Sequence, residues 1–164
     1  ADLVVFGPLN ELDGDGINDA FLDTLTKTDR PVLLAEDVPA RMVCNVAIAW
    51  DGSIAAAHAV TAAMPYLTHA EAIDILSVRS SSAPRRSVGE LTEYLSLHGL
   101  SSVEHEIRRD RASISRELMD YCLKRNTDLL VMGGYGHSHL RESLFGGVTA
   151  DVRWHATVPT LMMH

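Results

Sequence analysis

The sequence is poor in aromatic side chains, in cysteine and in positive charge. Each of these shortages excludes or disfavours a class of core, of metal or redox site, or of binding partner. Phe, Trp and Tyr supply 5% of the 164 residues, so the core must be mostly aliphatic. The two cysteines show no metal-binding or redox spacing, which favours a reduced, cytoplasmic protein. The net charge of −8 argues against a nucleic-acid or anionic-membrane surface, because phosphate groups are bound by clustered Lys and Arg. No run approaches the roughly 20 apolar residues that span a bilayer.

The acidic residues are concentrated near the start of the chain. Residues 1–41 carry nine acidic and three basic side chains, whereas residues 42–164 carry thirteen and eleven. The stretch from Glu36 to Arg41 contains a proline and is typical of a linker. We therefore expect three parts, with a separate unit at residues 1–36, a linker at 37–41 and a complete domain at 42–164.

Strand-like and helix-like patterns alternate throughout the proposed domain. Apolar runs predict five strands, at residues 43–50, 71–78, 103–109, 129–132 and 157–163. The first helix is expected to start at an N-cap, Ser53, and to stop at Pro65. The next two are expected to end at Gly99 and Asn126, and the last lies near residues 149–155. Because crossover helices join parallel strands, the pattern predicts an α/β fold with a mostly parallel sheet and helices on both faces.

The first 41 residues resemble the end of this domain. Residues 1–7 echo residues 127–133, and residues 28–34 echo residues 156–162, with nearly the same separation in both copies. Chance similarity between buried strands is one explanation. The other is a tandem protein whose first domain is present only as its last strand, helix and strand. Such a piece cannot bury its own core, so we expect a fragment or a segment that docks on the second domain.

A glycine-rich segment carries the clearest chemical signal. Gly133, Gly134 and Gly136 follow a predicted strand, and Gly146 and Gly147 precede a predicted helix. Glycines let the backbone approach an anion closely, and the N–H groups at a helix start bind phosphate oxygens with help from the helix dipole. Neither a Walker lysine nor the third glycine of a dinucleotide fingerprint is present.

Three segments together resemble the universal stress protein family. They are residues 49–53, residues 128–133 and the pattern Gly133-x2-Gly136-x9-Gly146. The resemblance covers residues 42–164 as a whole domain and, more weakly, residues 1–36 as the end of another. It implies a three-layer α/β/α fold with a parallel five-stranded, Rossmann-like sheet of the adenine nucleotide alpha hydrolase type. It also implies that ATP, alone or with Mg²⁺, is the ligand.

Carried over to this sequence, the family's adenosine pocket involves Asp51 and Val78, at the ends of the domain's first two strands. The ribose and phosphates would be cradled by Gly133, Gly136, Gly146, Gly147, Val148 and Thr149. The family usually has Ser or Thr where this chain has Gly147, which removes a hydroxyl donor worth about 0.5–1.5 kcal/mol. Thr149 is a partial substitute, and Trp50 either stacks on the adenine or obstructs it.

The family also associates through its last strand. The resemblance therefore implies that residues 157–163 pair with the matching strand at residues 31–35 or with a second chain. Such pairing would cover a sheet edge that is otherwise exposed.

Three functions stay open. The first is a nucleotide-binding protein with a stress-response or regulatory role, in which ATP is held or sensed. The second is an association scaffold without nucleotide, favoured by Gly147 and Trp50. The third is a slow ATPase or phosphotransferase, supported only by the phosphate cradle. Rapid hydrolysis is not expected, because no side chain is positioned as a general base and no metal cluster is visible.

Overall fold

Strands and helices alternate within residues 43–164 in the order that the apolar runs predict. The computed structural model describes residues 2–7, 9, 15–35, 43–78, 86–107, 113–134 and 148–164, so the proposed linker at 37–41 lies outside the described residues. The strands are β1 (Val4–Phe6), β2 (Val32–Leu34), β3 (Asn45–Trp50), β4 (Ala72–Val78), β5 (Val103–Ile107), β6 (Leu129–Gly133) and β7 (Thr160–Met163). The helices are α1 (Asp15–Lys27), α2 (Ile54–Leu67), α3 (Arg86–Leu97), α4 (Ile114–Arg125) and α5 (Val148–His155). None of these helices is long and apolar enough to cross a membrane.

The strands form one sheet in the order β1-β2-β7-β6-β3-β4-β5. Strands β3 to β7 run parallel to one another, which confirms the predicted parallel sheet. Within the described ranges the sheet has seven strands rather than the expected five, because β1 and β2 extend it. Strand β2 pairs antiparallel with β7, with Val32 opposite Met162 and Leu34 opposite Thr160. The pairing predicted between residues 31–35 and 157–163 is therefore observed within the chain.

Helices cover both faces of the sheet, which confirms the three-layer prediction. Val46 and Ile48 of β3 point into an apolar cluster with α2 and α3. The intervening Ala47 points to the other face, where it joins a cluster with α1, α4 and α5. Phe21 is the only aromatic residue among the fully buried side chains of the described ranges, so the core is aliphatic as the composition predicts.

The predicted helix caps have the expected geometry. The Oγ of Ser53 accepts the backbone N–H of Ala56 at 3.1 Å, so Ser53 is the N-cap of α2. Gly99 has a φ of +76°, and Asn126 is left-handed with a φ of 51° and a ψ of 47°. Gly and Asn are the residues that adopt this conformation most readily at helix ends.

The expectation that Pro65 ends α2 is wrong. The helix continues to Leu67, with Pro65 inside its last turn. Proline there removes only its own N–H bond, and the N–H of Thr68 still donates to the carbonyl of Met64 at 3.0 Å. One lost bond near a helix end is not enough to stop the helix.

Asp128 ties the amino ends of β3 and β6 together. It is buried immediately before β6, and its Oδ2 accepts the N–H groups of Cys44 at 3.0 Å and Asn45 at 2.9 Å. Its own N–H donates to the carbonyl of Asn45 at 2.8 Å. Because two donors converge on one oxygen, a side chain without an acceptor would leave both of them unsatisfied.

We expect Asp128→Ala to lower the free energy of unfolding by about 1–3 kcal/mol, because it removes an acceptor from two backbone donors. Urea denaturation followed by circular dichroism measures the change. Asp19→Ala is the control, since Asp19 is exposed on α1, and it should stay within about 0.5 kcal/mol of the parent. Equal losses in the two variants would contradict the role given to Asp128.

Candidate functional site

The carboxyl ends of β3, β4 and β6 meet at one edge of the sheet. Strand β3 lies between the other two and is parallel to both. The chain runs outward from β3 to β4 and β5, then returns to β6 on the other side, so the strand order reverses between β3 and β6. Ligands of open α/β sheets bind in the crevice at such a point. We call the space beyond these two strand ends the switch-point crevice.

Three predicted site residues reach this edge at nearly the same level. Ala49 of β3 lies opposite Met132 of β6, so Asp51 and Gly133 follow closely on neighbouring strands. Val78 is the last residue of β4, on the other side of β3. The topology therefore brings Asp51, Val78 and Gly133 to one end of the sheet.

Asp51 occupies an exposed turn between β3 and α2. Its Oδ1 accepts the backbone N–H of Ser53 at 2.9 Å. Gly52 has a φ of +76°, which favours glycine at this turn. The hydrogen bond orients the carboxylate at the edge of the crevice, where it can accept a hydrogen bond from a hydroxyl or amino group of a ligand.

Gly133 is required by packing between β6 and α2. A Cβ atom at this position would lie 2.7 Å from the backbone nitrogen of Ala56 and 3.1 Å from the Cβ of Ala55. Those atoms belong to the first turn of α2, and the backbone nitrogen cannot rotate away as a flexible side chain can. The contact of Gly133 with a ligand stays a prediction, but its missing side chain has a structural cause.

Gly134, which follows β6 at the crevice, lies against helix α1 in the first part of the chain. Its N–H donates to the carbonyl of Met163 at 2.8 Å, and a Cβ atom here would lie 2.8 Å from Leu25 of α1. Helix α1 therefore packs directly against the backbone that follows β6. The position of this backbone depends partly on residues 1–36, although whether those residues are the end of a separate domain stays a prediction.

The phosphate side of the predicted site is described in part. Gly136, Gly146 and Gly147 lie outside the described residues. Val148 and Thr149 form the first turn of α5, where Val148 packs against the apolar cluster and Thr149 is buried. The structure thus confirms that a helix begins directly after the last glycines.

A hydrogen bond joins the first turns of α4 and α5. The Oγ of Ser115 donates to Oδ2 of Asp151 at 2.9 Å, and Ser113, the N-cap of α4, lies 2.9 Å from Ser115 Oγ. Both helices follow strands that end at the carboxyl edge. The contact holds their starts together beside the crevice.

A cavity of about 300 Å³ opens next to the Asp51 turn. Its walls include Trp50 at the end of β3 and Tyr94 of α3, together with Gly52 and Ser53. This volume is at the lower end of the range found for small-molecule pockets. Trp50 therefore belongs to the α2–α3 side of the sheet and lines a cavity at the carboxyl edge.

A polar cluster that the sequence patterns did not predict lies at the opposite edge of the sheet. Asp74 is buried near the start of β4 and accepts a hydrogen bond from the hydroxyl of Tyr121 at 2.9 Å. Its carboxylate also lies 3.2 Å from Nε2 of His105 and 3.4 Å from Nε of Arg125. An acidic residue inside the apolar run of β4 was the signal that could have revealed it. The cluster joins β4, β5 and α4, and lines neither this cavity nor a larger one beside α2.

Burial changes the acidity of two side chains on α4. It is the largest cause that raises the pKa of Tyr121 to about 12, followed by the hydrogen bond to Asp74 and the charge of that carboxylate. Burial also raises the pKa of the Cys122 thiol to about 11, so this cysteine is a core residue without thiolate reactivity at neutral pH. Cys44 is only half-buried. Within the described ranges, His, Cys, Asp and Glu side chains form no group of three that could hold a metal ion.

We expect Gly133→Ala to destabilise the protein by about 1–3 kcal/mol, because the added methyl group overlaps the backbone of α2. Gly89→Ala is the matched control. Gly89 is exposed on α3 with nothing within 4 Å of an added Cβ, so this change should stabilise the protein by about 0.5–1 kcal/mol. Urea denaturation of both variants measures the difference, and a neutral Gly133→Ala would contradict the packing role.

The raised pKa of Tyr121 predicts a loss of stability at high pH. The ordinary pKa of tyrosine is near 10, and that of Tyr121 in the folded protein is about 12. Between pH 10 and pH 12, therefore, the unfolded chain releases the phenolic proton while the folded chain keeps it. The stabilising contribution is therefore complete below pH 10 and lost as the pH rises to about 12. Subtracting the tyrosinate absorbance of Tyr121→Phe from that of the parent should give a midpoint near 12 in the folded protein. In denaturant the midpoint should fall to about 10, and a folded midpoint of 10 would contradict the prediction.

Comparison with known proteins agrees with this architecture. The universal stress protein family model matches residues 40–164. None of the curated proteins searched is significantly similar to the chain. Among solved structures, a universal stress protein from Archaeoglobus fulgidus DSM 4304 is 15% identical, with a TM-score of 0.75 over 99% of this chain and 62% of that one. This chain thus spans less than two thirds of that relative.

Two other solved structures match about three quarters of the chain. A family member from Burkholderia pseudomallei is 20% identical with a TM-score of 0.56, and a universal stress protein in complex with cAMP is 21% identical with a TM-score of 0.61. Each match covers 76% of this chain and 98% of the other. At these identities the likeness shows the shared Rossmann-like fold. The family model covers most of the chain, so this protein belongs to the universal stress protein family.

Proposed function

We propose that this protein binds an adenine nucleotide, ATP in particular, in the switch-point crevice. The observation that carries the proposal is the adjacency of β3 and β6, which brings Asp51 and the start of the glycine segment to the point where the strand order reverses. The described residues around the crevice suit a nucleotide, since an exposed carboxylate and a helix start occupy the same edge.

The phosphates would lie at the start of α5. Backbone N–H groups in its first turn are unsatisfied by the helix itself and attract anions. Thr149 and Val148 belong to that turn, and the family resemblance assigns the other contacts to Gly133, Gly136, Gly146 and Gly147. Mg²⁺ would accompany the phosphates by neutralising their charge. The missing hydroxyl at Gly147 predicts weaker binding than in family members with Ser or Thr there.

The adenine ring would lie nearer to β4. Asp51 accepts a hydrogen bond from the ribose or the base in this arrangement, and Val78 borders the base. The cavity beside Asp51 offers the aromatic surface of Trp50, which favours stacking over obstruction. The relative that was solved in complex with cAMP supports an adenine nucleotide as the ligand class.

We further propose that the nucleotide is held or sensed rather than rapidly hydrolysed, as part of a stress-response or regulatory role in the cytoplasm. A scaffold without nucleotide is the second candidate. It would rest on the antiparallel pairing of β2 with β7, which joins the first part of the chain to the second in one sheet.

Calorimetric titration with ATP and Mg²⁺ separates these two functions. We expect the parent to bind and Asp51→Ala to bind about 10- to 100-fold more weakly, because a charged hydrogen bond contributes about 1.5–3 kcal/mol. Gly146→Ala should also weaken binding by crowding the phosphates, whereas Asp19→Ala, at an exposed aspartate on α1, should bind like the parent. If the parent protein shows no binding at millimolar ATP, the nucleotide proposal is overturned and the scaffold function is favoured.

A further inference from the structure

The cavity beside the Asp51 turn combines aromatic, aliphatic and acidic walls. Trp50 at the end of β3 and Tyr94 of α3 are its aromatic residues. Its aliphatic walls include Val60 of α2 and Leu91 of α3, whose side chains are both buried. Small-molecule sites are mostly apolar and aromatic, with a few polar groups that orient the ligand. The walls of this cavity have that composition.

Glu90 supplies the charge of the cavity. It precedes Leu91 on α3, it is exposed, and it is the one charged residue among the described residues that line this space. None of the ion pairs within the described ranges includes it. The net charge of −8 adds a weaker attraction for cations from the rest of the protein. The electrostatics of the cavity therefore favour a positively charged ligand.

Two hydroxyl groups that line the cavity already have partners within the chain. The Oγ of Ser53 accepts the N–H of Ala56 at 3.1 Å, and the Oγ1 of Thr61 donates to the carbonyl of Ala57 at 3.0 Å. The carboxylate of Glu90 is left to interact with a ligand. Because an ionised carboxylate only accepts hydrogen bonds, that ligand must bring a positive charge or a donor.

The chemistry of the walls separates the classes of ligand. Glu90 would repel an anion, and no basic residue of the described ranges lines the cavity to offset that repulsion. Inorganic cations such as Mg²⁺ and Ca²⁺ need several oxygen ligands, which aromatic and aliphatic walls do not supply. An organic cation suits both kinds of wall, because aromatic rings attract it and aliphatic side chains pack against its carbon atoms.

We propose that this cavity binds a small organic ammonium ion, with its charged group near Glu90 and the aromatic walls and its apolar part against Val60 and Leu91. The volume of about 300 Å³ limits the ligand to a small one. The adenine ring is placed against Trp50, which lines the same cavity, so the cation and the nucleotide compete. That competition rests on the proposed nucleotide function, whereas binding of the cation does not.

Calorimetric titration of the nucleotide-free protein with choline chloride, at constant ionic strength, tests the proposal. Choline is the probe because its trimethylammonium group combines a positive charge with an apolar surface. We expect a dissociation constant of about 1 mM or lower. The uncharged carbon analogue of choline, in which a tert-butyl group replaces the trimethylammonium group, should bind at least about tenfold more weakly, because it keeps the shape and lacks the charge.

Two substitutions test the walls separately. Glu90→Gln should weaken choline binding about tenfold, because it removes the negative charge and keeps nearly the same shape. Glu93→Gln is the matched control, since Glu93 is exposed on the same helix and does not line the cavity, and it should bind like the parent. Tyr94→Leu should weaken binding about threefold or more by removing an aromatic wall. Circular dichroism verifies that each variant is folded.

The proposal is overturned if the parent protein shows no binding at about 10 mM choline. It is also overturned if the uncharged analogue binds equally well, or if Glu90→Gln binds choline like the parent. Repeating the ATP titration in the presence of choline should give a lower apparent affinity for ATP. If both ligands bind and neither weakens the other, the shared cavity is wrong. If choline binds and ATP does not, only the nucleotide proposal is overturned.

Discussion

The parallel pairing of β3 with β6 is the constraint on which the rest of the structure depends. At the amino ends, buried Asp128 accepts backbone hydrogen bonds from Cys44 and Asn45 and holds the two strands in register. At the carboxyl ends, Gly133 lets the first turn of α2 pack directly on β6. Because the chain continues from β3 to β4 and β5 and then returns to β6 on the other side of β3, the strand order reverses between β3 and β6. This reversal creates the crevice in which we propose that the nucleotide binds.

The first part of the chain is integrated into the same sheet rather than appended to it. Strand β2 pairs with β7, and α1 places Leu25 against Gly134 at the start of the glycine segment. A change in the packing of α1 would therefore shift the backbone that follows β6.

Local patterns predicted most of the fold. The caps at Ser53 and Asn126 follow from side-chain and backbone preferences that act within a few residues. The error at Pro65 arose because the cost of a proline depends on its position within the helix, and in the last turn that cost is small. The predicted parallel sheet was correct because alternating strand and helix patterns leave few allowed topologies.

Long-range contacts could not be predicted in the same way. The partners of Asp74 come from β5 and α4, and nothing in the separate segments says that Tyr121 would reach it. The packing need for Gly133 depends on Ala56, which is 77 residues earlier in the sequence. The spacing of the glycines and the family resemblance predicted a phosphate site that includes Gly133. Its packing role against α2 could be recognised only in the folded chain.

Nuclear magnetic resonance of the ¹⁵N-labelled protein, titrated with ATP and Mg²⁺, tests the placement of the nucleotide most directly. We predict that amide shifts concentrate at the carboxyl edge, at Asp51, Gly134 and Thr149. The amides around Asp74 and Asp128, at the opposite edge, should remain unchanged. Shifts confined to that opposite edge, or no shifts at millimolar nucleotide, would contradict a nucleotide site between β3 and β6.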